Sequence, residues 1–202
     1  MRATLTAIVL VAALAAGGVS PGAAGETAAT GATTTGATTT ESATSESATP
    51  QEVVAKVWAA SRFLGEKGAS GYAAFNSKDG PWVWKDSYVF VYDCRLDRMV
   101  AHPLRPDLVG RPVKQIVDNN GKHIFVDLCD TGRQKGGGWV EYLWTKPGAG
   151  SVSRKISYAL GADIAFASGI QVAAGVYDDD VSTADLATLT DRMADPTKYP
   201  AH

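Results

Sequence analysis

Tyr142, Trp144 and Lys146 have the types and the spacing to hold an anion. Alternate residues of an extended strand face the same way, so these three share one face while Trp139, Glu141 and Leu143 share the other. A donating phenol, an indole wall and an ammonium suit a small carboxylate. Such an anion leaves water only for charge-assisted donors, each contributing about 1.5–3 kcal/mol. The competing reading packs both rings in the core and leaves Lys146 leading into the turn at Pro147. Tyr88, Phe90 and Tyr92 share a face of another strand, lining the same cavity or packing beneath a helix. Phe90 is the better core residue; buried tyrosines need partners and suit a pocket. Lys155 is the substitute cation if Lys146 points to solvent. It falls on the opposite strand face from Tyr158, so the two do not line one pocket together.

His102, at a strand end in Ala-His-Pro, is a further donor. Its protonation would make binding depend on pH near roughly 6.5. Catalytic constellations are missing from the sequence. There is no Gly-x-Ser-x-Gly elbow, no His-Glu-x-x-His, no phosphate loop and no Cys-x-x-Cys. Three histidines supply no metal site of sensible spacing. Asp178-Asp179-Asp180 lacks the spaced ligands of a calcium loop and reads as a solvated turn. No catalytic residue, metal or cofactor is therefore expected, and the chain is not read as an enzyme.

The elements that must position these residues begin late in the chain. All the aromatic residues, five Trp, seven Tyr and five Phe, lie after residue 51. Residues 1–24 read as an export signal, with Arg2, an apolar stretch over Ala3–Ala16 and a small-residue cleavage site at Gly22-Ala23-Ala24. Whether the signal is cleaved or stays as an anchor is open. Residues 25–50 are rich in Thr, Ala and Gly, with Gly-Ala-Thr-Thr-Thr in tandem at 31–35 and 36–40. Such a segment buries too little apolar area to offset its ordering entropy and is expected to be a disordered linker. The folded domain is set at 51–195, with 196–202 as a tail. Residues 51–202 hold 18 basic and 18 acidic side chains, a balance that argues against nucleic acid as a partner.

Thr49-Pro50-Gln51-Glu52 is a capping box that opens a long helix with Val53, Val54, Val57, Trp58, Ser61 and Leu64 on one face. Gly71 should break it. Strands are expected at Ser87–Tyr92, Met99–His102, Trp139–Lys146, Arg154–Leu160 and Gln171–Tyr177. Helices are expected at about Lys122–Arg133 and after Ser182, with Leu186, Leu189 and Met193 on one side. The fold class is α+β, an antiparallel sheet of about five strands with a long N-terminal helix and a C-terminal helix. Cys94 and Cys129 are the only cysteines of an exported chain. A single disulfide is favoured over two buried thiols, closing a loop of about 35 residues for about 3–4 kcal/mol in the chain-entropy account.

An ordered set of motifs then carries a resemblance. Tyr-Val-Phe-Val-Tyr-Asp (88–93), Ala-His-Pro (101–103), Leu-Val-Gly (108–110) and Asp-Asn-Asn-Gly-Lys (118–122) come first. Gly-Trp-Val-Glu-Tyr-Leu-Trp-Thr-Lys-Pro-Gly (138–148), Arg-Lys-Ile-Ser-Tyr (154–158) and Ala-Gly-Val-Tyr-Asp-Asp-Asp (174–180) follow. The set resembles the single Cache domain (type 2) of bacterial extracytoplasmic sensors. That resemblance implies a PAS-like sheet with a pocket for small organic molecules, often short carboxylates, and places His102 with the pocket.

The expected function is thus an extracytoplasmic sensor domain, periplasmic or secreted, that binds a small organic acid. With few residues after Pro196 and a tether before the first helix, it is not expected to signal through a membrane segment of its own. A separate membrane signalling partner is implied, and a homodimer through the N-terminal helix is open. Ile170–Ala174 lacks the tryptophan the family usually carries there. This motivates a second reading, an envelope interaction or structural protein with a degenerate pocket; an exported hydrolase is a third. The sensor reading requires rings and an ammonium to converge on a void.

Overall fold

The computed structural model describes residues 46–193 except Asp163 and Phe166. The stretch read as an export signal, nearly all of the stretch read as a linker, residues 194–195 and the tail 196–202 lie outside the described residues. Helix α1 spans Pro50–Lys67. Thr49 accepts from the Glu52 N–H while Glu52 accepts from the Thr49 N–H, so two helix-end donors are satisfied reciprocally. A 3-10 segment, Gly68–Asn76, follows directly. The break expected at Gly71 comes earlier, at the Gly68 C-cap with its φ of +59°. Gly71 lies within the 3-10 segment, against Phe63 and Leu64, where a Cβ would stand 3.0 and 3.1 Å from their side chains.

Two short strands, β1 (Val83–Trp84) and β2 (Ser87–Tyr88), form a hairpin. The strand expected over 87–92 is interrupted at Val89, whose N–H donates to the Trp82 carbonyl, and resumes as β3 (Phe90–Asp93). Strand β4 is Arg98–Ala101, and helix α2 is Ile124–Gly132. Then come β5 (Gly138–Thr145), β6 (Val152–Gly161), β7 (Ile170–Val176) and helix α3 (Thr183–Met193). The main sheet has five strands in the order β4-β3-β7-β6-β5, and every pairing is antiparallel.

Two-residue alternation divides the apolar side chains between the sheet's faces. Val53, Val54, Val57 and Leu64 of α1 pack on Val89, Val91, Ile156, Val172 and Val176. Ile124, Phe125 and Leu128 of α2 pack on the other face, against Tyr88, Phe90, Tyr92, Tyr142 and Ala173. Each fully buried Val, Leu or Ile contributes about 1.5–3 kcal/mol of burial energy, so both layers are firmly held. Cys94 and Cys129 are joined, their Cα atoms 5.7 Å apart, tying the end of β3 to α2. Gln171 tightens the same corner by donating to the Cys129 carbonyl and accepting from the Tyr92 hydroxyl. Gly132 makes room for it; a Cβ there would stand 2.3 Å from the Gln171 amide oxygen.

The chain running into α1 is also fastened. Ala48 N–H donates to Asp86 at 2.7 Å, and Lys85 pairs with Glu46 and Glu52 at 3.2 and 2.8 Å. Composition places Glu46 and Ala48 in the linker, yet Ala48 is buried against the β1–β2 turn.

Candidate functional site

The face covered by α2 collects most of the site residues. Tyr142 and Trp144 alternate along β5, and Lys155 of β6 lies directly opposite Tyr142. Tyr88 and Phe90 come from β2 and β3, His102 from just beyond β4, and Ile124 and Phe125 from the first turn of α2. These side chains, Lys155 excepted, line a cavity of about 10 Å³. That is room for about one water. That is too little for an acid of two to four carbons, so the open void that the sensor reading requires is not standing among these rings.

Lys155 is fully buried, and its Nζ has no hydrogen-bond partner. It lies 4.1 Å from the ring centre of Tyr88, 5.2 Å from that of Tyr177 and 5.4 Å from that of Phe90. Ring faces attract a cation, which offsets part of its lost hydration but supplies no acceptor. Burial lowers its pKa to about 7, against the upward pull of the Asp86 carboxylate. Gly175 of β7 leaves space for this side chain. A Cβ there would stand 2.8 Å from Lys155 Cε and 2.4 Å from Ser157 Oγ.

Lys146, the cation favoured by strand alternation, is elsewhere. Strand β5 ends at Thr145, and beyond it the lysine reaches Asp86, with Nζ 3.2 Å from Oδ2. Its side chain is 29% exposed, so it stands beside the ring cage at the surface. Both lysines approach the ring of Tyr177, whose centre is 5.8 Å from Lys146 Nζ and 5.2 Å from Lys155 Nζ.

His102 corrects one expectation. Its Nδ1 accepts from the backbone N–H groups of Arg105 at 3.0 Å and Leu104 at 3.3 Å, which leaves the proton on Nε2. Burial, with Lys155 and Arg105 nearby, lowers its pKa to about 3. The imidazole is a fixed neutral donor stacked among Tyr88, Phe90 and Trp144, and it does not switch near neutrality.

The phenols are uncharged. Burial raises Tyr88 to about 12 and pushes Tyr142 up, and the Tyr142 hydroxyl sits 2.8 Å from Ser157 Oγ. Tyr92 is already satisfied, donating to Gln171, and stacks on Phe90 outside the cavity lining. Tyr158 faces the α1 side, where it accepts from Trp58 and donates to the Gly136 carbonyl. Asp178–Asp180 lie in a turn where the Asp180 N–H donates to Asp178. Among the described residues no group of three His, Cys, Asp or Glu is arranged for a metal.

Sequence reasoning did not find Asp86, Phe125 or Tyr177. Phe125 carried only the apolar pattern of a short helix. Asp86 follows a lysine in an unremarked turn, yet it is 1% exposed. A glycine inside a strand often marks close approach of a neighbour, and Gly175 is the signal that would have pointed to Lys155.

The chain matches the family Single Cache domain 2 over residues 28–191, most of its length. It belongs to that family. Cache domains of this kind are extracytoplasmic ligand-binding sensor modules. Methyl-accepting chemotaxis protein McpP of Pseudomonas putida is 32% identical over 106 residues, 52% of this chain and 19% of that protein. Sensor histidine kinase MctS of Rhizobium johnstonii is 34% identical over 97 residues, 48% of this chain and 20% of that protein. The chain thus spans about a fifth of the length of these curated relatives. The crystal structure of a methyl-accepting chemotaxis protein from Vibrio parahaemolyticus superposes with a TM-score of 0.51 at 22% identity. That likeness covers 65% of this chain and 90% of the other, and it shows the fold. Among the described residues of this Cache domain, no helix is long and apolar enough to cross a membrane.

Proposed function

We propose that this Cache domain is a periplasmic or secreted receptor for a short organic acid, with Lys155 as the counter-charge for the carboxylate. The observation that carries the reading is the buried Lys155 amine with aromatic rings around it and no acceptor for its protons. A buried charge without a partner costs several kcal/mol, and an entering carboxylate removes that cost. His102 Nε2–H and the Tyr88 and Tyr142 hydroxyls are the neutral donors that complete the cradle, while Trp144 forms its wall. Parting of the rings on binding shifts the loop between β4 and α2, and that shift is what a membrane signalling partner reads. The two curated relatives, a chemotaxis protein and a sensor kinase by name, support such a partner.

The small cavity favours a second reading, an envelope protein whose pocket is filled. The two readings separate in calorimetric titration and thermal shift against C2–C4 carboxylates. The receptor binds at least one of them and loses it in Lys155→Met. A filled pocket gives neither heat nor shift with any acid.

A further inference from the structure

Among the described residues, three buried side-chain polar atoms lack hydrogen-bond partners: Trp84 Nε1, Asp86 Oδ2 and Lys155 Nζ. Buried polar atoms are nearly always paired, so each of these needs a reason; Asp86 Oδ2 keeps an ion-pair contact with Lys146, whereas Lys155 Nζ has no hydrogen-bond partner. Two of the three belong to groups of opposite charge. Asp86 is held on one side by the Ala48 N–H, which donates to Oδ1 at 2.7 Å. On the other side Oδ2 stands 3.2 Å from Lys146 Nζ. Lys146 and Lys155 flank the same ring, Tyr177, and the Asp86 charge is felt at Lys155. The cluster is two ammonium groups and one carboxylate.

We propose that Asp86 restricts the site to acids that carry a single negative charge. This deepens the carboxylate reading and rests on it. Asp86 already neutralises Lys146, so Lys155 is the one uncompensated cation, and one carboxylate completes the balance. A second carboxylate on the same ligand meets no free cation. It lies against the electron-rich faces of Tyr88, Phe90 and Tyr177, and it is repelled by Asp86 in a region from which water is excluded. Asp86 cannot turn aside to relieve this, because the backbone entering α1 holds its other oxygen. Rejection by an unpaired like charge is a form of specificity that shape alone does not give.

Propionate and malonate share a three-carbon skeleton and differ by one carboxylate, so they test charge rather than length. Both are titrated calorimetrically into the full chain at pH 7. The parent is expected to prefer propionate by about tenfold or more, and Asp86→Asn to narrow that ratio by about tenfold through gained malonate affinity. The asparagine oxygen still accepts from Ala48. The double variant Asp86→Asn with Lys146→Met restores the parent's net charge and is expected to restore its preference. An unchanged ratio in Asp86→Asn overturns the inference while leaving the carboxylate reading intact; a parent that binds neither acid overturns both. If Asp86→Asn does not fold, Lys146→Met decides: it leaves Asp86 to occupy Lys155, so propionate weakens about fivefold or more. Undiminished affinity there overturns the inference.

Discussion

Lys155 Nζ stands 4.1 Å from the ring centre of Tyr88, and no oxygen accepts from it. The contact is a compromise between a cation and an apolar wall. Removing the amine therefore separates stability from binding. Lys155→Met is expected to raise unfolding free energy by about 1–4 kcal/mol, since apolar replacement of buried charge is often stabilising. The same change is expected to abolish carboxylate binding. Urea unfolding and calorimetry on one preparation check both halves.

Two buried bases give the domain an unusual pH profile. Folded Lys155 loses its proton at about 7, whereas the ordinary value is 10.5. Between those values the unfolded chain holds the extra proton. Stability therefore rises with pH there, by up to about 1.4 kcal/mol per unit, and the penalty is complete below the lower value. His102 titrates at about 3 in place of 6.5, so stability falls as pH drops through that interval. Urea midpoints across pH are expected to lose the alkaline slope in Lys155→Met and the acid slope in His102→Asn.

Gly175 leaves the space that Lys155 Cε and Ser157 Oγ occupy. Gly175→Ala pushes a methyl group against Lys155 Cε, Ser157 Oγ and the Ile156 carbonyl. The expected costs are about 1–3 kcal/mol of stability and a loss of carboxylate affinity. Thr49→Ala is the control. It removes the α1 cap for about 1 kcal/mol and leaves affinity unchanged.

The link between Cys94 and Cys129 closes 35 residues that include β4 and the loop over the site. Intact mass is expected to rise by two hydrogen atoms when a thiol reductant opens the bond. Replacing both cysteines by serine is expected to cost about 3–4 kcal/mol in urea unfolding.

What the sequence made legible was local. Thr49 and Glu52 cap α1 because both partners lie within one turn. Tyr88 and Phe90 share a face with Tyr92 because strands alternate. The same rule separated Lys155 from Tyr158. It favoured Lys146 over Lys155, and the buried cation is Lys155, because the outcome depends on where β5 stops pairing with β6. Asp86 was invisible for a related reason: its burial comes from Ala48, Lys146 and the Lys155 region meeting in space. The neutral state of His102 rests on two backbone donors that the Ala-His-Pro motif does not reveal.

The central claim is that a carboxylate converts Lys155 from a buried amine to a paired ammonium. Calorimetry of a C2–C4 acid at pH 8, repeated in buffers of different ionisation enthalpy, counts the protons taken up on binding. With the free amine titrating at about 7, the account predicts uptake of close to one proton, absent at pH 6. Binding at pH 8 with no proton uptake would contradict it.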